Sequence, residues 1–82
     1  MQAVEELRSS VAECIAAVFG LEETDVLEAN EFKQISGWDS LKHLQLMSEV
    51  EREFGCAFAV DDIVSVASVD DVVALIERTT AR

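Results

Sequence analysis

Asp39, Ser40 and His43 lie within five positions of one another and hold most of the chemistry this chain could perform. Ser40 stands in Gly37-Trp38-Asp39-Ser40-Leu41, directly before an amphipathic pattern, so its hydroxyl sits at the exposed mouth of a helix. A hydroxyl there can cap the helix, act as a nucleophile or accept a covalent group. His43 shares a helical turn with Ser40 and would be the base for nucleophilic attack. Hydrolysis also needs an oxyanion loop and a strand-to-helix elbow. Neither is present, and Trp38 interrupts what would otherwise read Gly-Asp-Ser-Leu. His43 is expected on the side of Leu46, Met47 and Val50 as a partly buried helix residue. Asp39 is better placed to cap than Ser40, yet local pattern alone leaves a capping and a modified serine both open.

The remaining chemistry-bearing residues point to no site. Cys14 and Cys56 show no Cys-x-x-Cys spacing, and one histidine cannot complete a zinc set with them, so both are expected as reduced core thiols. Asp61-Asp62 and Asp70-Asp71 lack the spacing, central glycine and terminal glutamate of a calcium loop. They read as helix-start acids, and no metal is expected.

Length and charge narrow the function classes. A chain of 82 residues forms one small domain, near the size where folding buries only about 60% of the unfolded chain's surface. A deep catalytic cleft is not expected, nor is an enzyme. The formal charge of -11 repels phosphate backbones and anionic lipid and attracts basic protein surfaces, which argues against nucleic-acid and membrane partners. The acidic start Met-Gln-Ala-Val-Glu-Glu and the lack of an apolar run of spanning length give the expectation of a cytoplasmic protein, and a monomer is expected.

The elements that must position Ser40 follow from periodicity. Val4, Leu7, Val11, Ile15 and Val18 form one stripe of a first helix, stopped by Gly20, with Cys14 at the edge of the stripe. Segment 21–38 loses the period and reads as an ordered loop, pinned by Leu21, Val26, Leu27, Phe32 and Ile35, with one short helical turn inside it. A second helix runs from about Ser40 to Phe54, capped by Asp39 and ended by Gly55. Asp61-Asp62 should cap a short third helix carrying Ile63, Val64 and Val66. Ser68-Val69-Asp70-Asp71 opens a last helix whose Val69, Val72, Val73 and Ile76 share a face, and Thr79 to Arg82 should fray. The fold class is all-α, a small four-helix bundle of three main helices and a short third one, with a long loop between helices one and two. Residues 1–82 form a single domain.

Gly37-x-Asp39-Ser40-Leu41, the helix end Glu53-Phe54-Gly55, the long loop, the short third helix and the terminal Val-x-x-Val-x-x-x-Ile stripe together resemble the acyl carrier protein family over nearly the whole chain. The resemblance implies that a phosphopantetheinyl transferase moves 4'-phosphopantetheine from coenzyme A onto Ser40, with Gly37, Asp39 and Leu41 as supporting motif. Thioester intermediates of fatty-acid, polyketide or related biosynthesis would then ride on the arm. A phosphodiester at Ser40 would meet the positive end of the helix dipole, and glycine at 37 would let a partner's backbone approach. Leu46, Met47, Val50, Phe54 and Ile63 would line an apolar space sheltering cargo. Two alternatives remain: an aminoacyl or D-alanyl carrier, suggested by Trp-Asp-Ser-Leu, and an acidic helical interaction module without a prosthetic group.

The resemblance also places the partner surface on the second helix, facing acyl-loading, ketosynthase or acyltransferase-type enzymes. Here the chain departs from the family's acidic habit. Lys42 and Gln45 stand where acids are common, Arg52 breaks a glutamate run, Ser48 replaces a frequent methionine, and the segment 41–54 carries two positive charges against three negative. The expected surface combines an apolar patch of Leu41 and Leu44 with Lys42, Gln45, Ser48, Glu49, Glu51, Arg52 and Glu53 as specificity elements. Trp38 is expected to cover the start of this helix, packed near Phe32 or Ile35, with contact to arm or cargo as the other possibility.

Overall fold

A computed structural model describes residues 4–35 and 37–80, with Thr80 described in its backbone alone. Helix α1 (Val4–Phe19) buries Leu7, Val11, Ala12 and Ile15. Its first stripe position differs from expectation: Val4 is 50% exposed, whereas Leu7, one turn on, is buried. The helix stops before Gly20, where the Leu21 amide donates back to the Ala16 carbonyl at 2.9 Å.

The segment expected as one long loop holds more structure than one turn. Helix α2 (Glu23–Ala29) packs on α1 through the fully buried Val26, and Ser9 Oγ of α1 donates to Glu23 Oε1 at 2.6 Å. Two turns with one buried residue carry too little period to announce a helix in sequence. Asn30 ends α2 at φ 59°, and a 3-10 turn (Phe32–Gln34) follows. Phe32 and Ile35 are buried. The described residues therefore form five helices, the expected four plus α2.

Helix α3 (Ser40–Phe54) runs as the sequence indicates, burying Leu46, Met47 and Val50. Gly55 ends it at φ 64°, a left-handed conformation that costs a side chain, and both its amide and that of Cys56 donate to the Glu51 carbonyl. Helix α4 (Val60–Ser65) differs in detail. Asp61 and Asp62 lie inside its first turn and Ala59 precedes it without a side-chain cap, so the acids suit the dipole rather than cap it. Val66 lies just beyond the helix.

Helix α5 (Val69–Thr80) buries Val69, Val72, Val73 and Ile76 as expected, and also Leu75, so its apolar arc is wider than one stripe. Ser68 Oγ accepts from the Asp71 amide at 3.1 Å, and Asp71 Oδ2 accepts from the Ala67 amide at 2.9 Å, a reciprocal cap like the one expected. Thr79 and Thr80 continue the helix; Ala81 and Arg82 lie outside the described residues. The Phe32 amide donates to Ala67 O and the Val69 amide to Asn30 O, both at 2.9 Å. That pair joins the end of α2 to the α4–α5 junction, while α1 packs against α2, α3 and α5.

Candidate functional site

The start of α3 is built by three consecutive residues with separate tasks. Trp38 anchors the approach: its ring stacks on Phe32 at 4.0 Å and on Phe19 at 4.7 Å, both within 18° of parallel. The Phe32 contact was expected; the Phe19 contact, from the end of α1, has no signal in local sequence. Asp39 is extended, and its Oδ1 accepts from the Lys42 amide at 2.8 Å while its carbonyl accepts from the His43 amide at 2.9 Å. Asp39 is thus the N-cap, as the sequence indicates. Ser40 is the first helical residue and exposed, and among the described residues its hydroxyl makes no hydrogen bond.

Gly37 takes φ 86°, a region that strains any residue with a Cβ. Nothing lies within 4 Å of where a Cβ would be. The glycine is required by backbone conformation, and not by crowding within the molecule.

Among the described residues, Ser40 and His43 share no hydrogen bond. Its Nε2 lies 2.6 Å from the Ile63 carbonyl, and because a carbonyl can only accept, Nε2 carries the proton and donates. The ring stands edge-on to Phe32 and Trp38, at 5.6 Å from each. A nitrogen committed to Ile63 holds α4 to α3 and is not a base for the serine.

A groove of about 860 Å³ begins at this point, within the ~300–1,000 Å³ usual for small-molecule sites. Ser40, Asp39 and Trp38 belong to its lining; Phe32, His43, Leu44, Val64 and Val66 supply most of its apolar wall, and Glu31, Lys33, Ala67, Ser68 and Asp71 the rest. Leu46, Met47 and Val50 are packed into the core, and neither they nor Phe54 and Ile63 line this groove.

The residues expected as a partner surface separate into three groups. Leu41 and Leu44 are 66% and 53% exposed, and with exposed Gln45 and Ser48 they form an outward face. Lys42 leans toward α1, its Nζ 5.6 Å from the Phe19 ring centroid. Arg52 pairs with Glu49 one turn back, while Glu51 Oε2 accepts from the Phe58 amide at 2.8 Å and so holds the α3–α4 loop. Glu53 is exposed. It acts with burial, the larger cause, and with Glu49 and Glu13 to push the Cys14 thiol up to about 11. Cys14 and Cys56 are half-buried free thiols, less enclosed than expected.

The acidic pairs are engaged structurally: Asp70 takes Arg8 Nε at 2.8 Å and Asn30 Nδ2 at 3.2 Å, and Asp62 lies 3.8 Å from Arg78. Among the described residues no helix is long and apolar enough to cross a membrane.

The arrangement suits a covalent phosphodiester. The hydroxyl is accessible and makes no hydrogen bond among the described residues, the cap is supplied by another residue, and the amides of Ser40 and Leu41 precede the first intrahelical bond at the positive end of a 15-residue helix. Comparison with family models matches residues 9–76 to the family described as phosphopantetheine attachment site.

Proposed function

Because the chain belongs to the phosphopantetheine-attachment family, whose domains carry 4'-phosphopantetheine covalently, we propose that Ser40 is the point of attachment and that the protein is a non-catalytic acyl carrier. Domains of this family work with a phosphopantetheinyl transferase and with biosynthetic enzymes. The observation that carries the reading is the division of labour at the start of α3: Asp39 takes the Lys42 amide, and the Ser40 hydroxyl is left exposed and, among the described residues, without a hydrogen bond.

In the attachment step, Ser40 Oγ attacks the phosphorus of coenzyme A that bears the pantetheine. The new phosphodiester bond forms as the pyrophosphate bond breaks, adenosine 3',5'-bisphosphate leaves, and the serine proton passes to a base on the transferase. Asp39 and Gly37 fix where the hydroxyl points, the first by holding the helix start and the second by turning the chain into it. The bound arm supplies a terminal thiol on which cargo is held as a thioester.

The acyl reading over an aminoacyl one is supported by the apolar wall that begins at Ser40. For the enzymes that load and unload it, Leu41 and Leu44 offer apolar contact, and Glu53 and Lys42 offer charges of opposite sign on the same helix. Offering the arm-bearing chain separately to fatty-acid-activating and amino-acid-activating enzymes tests the cargo class. Acyl thioester is expected; exclusive aminoacyl loading would move the chain to the aminoacyl carriers.

A further inference from the structure

Resting on the reading of Ser40 as the attachment point, we infer that Lys33 is the side chain that meets the phosphodiester of the arm, leaving Glu31 to do so and fixing the side of Ser40 toward which the phosphate turns. The charges around Ser40 give the reason. Glu31, Asp39 and Asp71 line one groove with Ser40 and Lys33, and among the described residues of that lining Lys33 is the only lysine or arginine. A phosphodiester on Ser40 adds a negative charge directly after the Asp39 carboxylate, among three carboxylates that repel it. Lys33 supplies the one countercharge in the lining.

The base of Lys33 is fixed and its head is not. Lys33 follows Phe32 in the 3-10 turn; Phe32 is buried, its ring stacks on Trp38 at 4.0 Å, and its amide donates to the Ala67 carbonyl at 2.9 Å. Because Trp38 lies two residues before Ser40, the same stack ties the turn that bears Lys33 to the approach into α3. The Lys33 side chain is 83% exposed, and its Nζ lies 3.7 Å from Oε1 of Glu31, itself half-exposed. An exposed pair of that length is weak and readily exchanged, whereas an ammonium on a phosphate oxygen makes a charge-assisted hydrogen bond. Lys42 is engaged elsewhere: residues two apart on a helix do not face each other, and its Nζ leans over the Phe19 ring of α1 at 5.6 Å.

Lys33 and Lys42 are the chain's only lysines, and the arm holds a single phosphorus, so both partners of the proposed contact can be observed directly. The full chain is compared before and after attachment, loading verified by intact mass, with isotope-labelled lysine for the two ε-methylene signals and phosphorus NMR for the diester. Attachment should shift the ε-methylene signal of Lys33 more than that of Lys42. Lys33→Ala should move the phosphorus resonance, Lys33→Arg should return it toward its position in the unaltered chain, and Lys42→Ala should leave it in place. Added salt should carry the resonance of the unaltered chain toward that of Lys33→Ala.

A phosphorus resonance indifferent to Lys33→Ala, or one that follows Lys42→Ala instead, would overturn the inference. So would a Lys33 ε-methylene signal that stays in place on attachment. An unaltered chain that takes no arm at Ser40 overturns this inference together with the reading beneath it, whereas a loaded chain whose phosphorus ignores Lys33 overturns this inference alone.

Discussion

Replacing Asp39 by alanine removes the 2.8 Å hydrogen bond from the Lys42 amide and a negative charge at the start of a 15-residue helix. Loss of a side-chain cap costs about 1 kcal/mol, within a range of about 0.5–2. The charge adds about 0.3–1 kcal/mol at low salt. For a domain of this size each kcal/mol lowers Tm by roughly 4–8 °C. Asp39→Ala should therefore melt at least ~4 °C lower by circular dichroism. Asp39→Asn, which keeps an acceptor and loses only the charge, should fall between it and the unaltered chain. Ser40→Ala should stay within about 0.5 kcal/mol of the unaltered chain, since among the described residues the hydroxyl makes no hydrogen bond and alanine favours a first-turn helical position. The contrast between neighbours is the test. If Ser40→Ala destabilises as much as Asp39→Ala, the serine is the cap and the hydroxyl is not free for modification. If Asp39→Asn is as damaging as Asp39→Ala, charge and not the hydrogen bond holds the helix start.

Gly37→Ala should cost about 1–2 kcal/mol in urea unfolding, because φ 86° strains a Cβ although the space around it is open. Glu51→Ala should raise amide exchange at Phe58 and cost about 0.5–1.5 kcal/mol, by freeing the amide that Glu51 Oε2 holds at 2.8 Å. Cys14, pushed up to about 11 from an ordinary 9.0, should hold on the order of a hundredfold less thiolate at pH 8 and alkylate correspondingly slowly with iodoacetamide. Its linkage to stability has a definite sign. The unfolded thiol loses its proton first, so Cys14 contributes stability below about pH 9 that is lost as pH rises from 9 toward 11, and urea midpoints should fall across that window. Reversing Glu53 to lysine should slow association with a cognate basic enzyme at low salt; an unchanged on-rate in stopped-flow would remove Glu53 from the docking surface.

Residues whose roles are local were legible in sequence. Asp39 as N-cap, Gly55 as helix end and the core face of α3 each follow from neighbours within a turn or two, and the structure shows all three. Roles set by distant packing were not. Phe19 joins the Trp38 stack from the end of α1, and Glu51 turns from the helix surface to hold Phe58 seven residues on. Helix α2 hid because seven residues with one buried valine carry no readable period. Val4 continues the stripe of α1 by spacing, yet lies beyond what the other helices cover. The groove beside Ser40 was not legible either, because the 3-10 turn and the α4–α5 junction that line it are brought to Ser40 only in the folded chain.

Attachment of the phosphopantetheine arm to Ser40 is tested by intact mass spectrometry after incubation with coenzyme A and a phosphopantetheinyl transferase. The unaltered chain should gain the mass of one phosphopantetheine, mapped by peptide digestion to Ser40, and Ser40→Ala should gain none while keeping its fold. No gain in the unaltered chain, or a gain that persists in Ser40→Ala, contradicts the account.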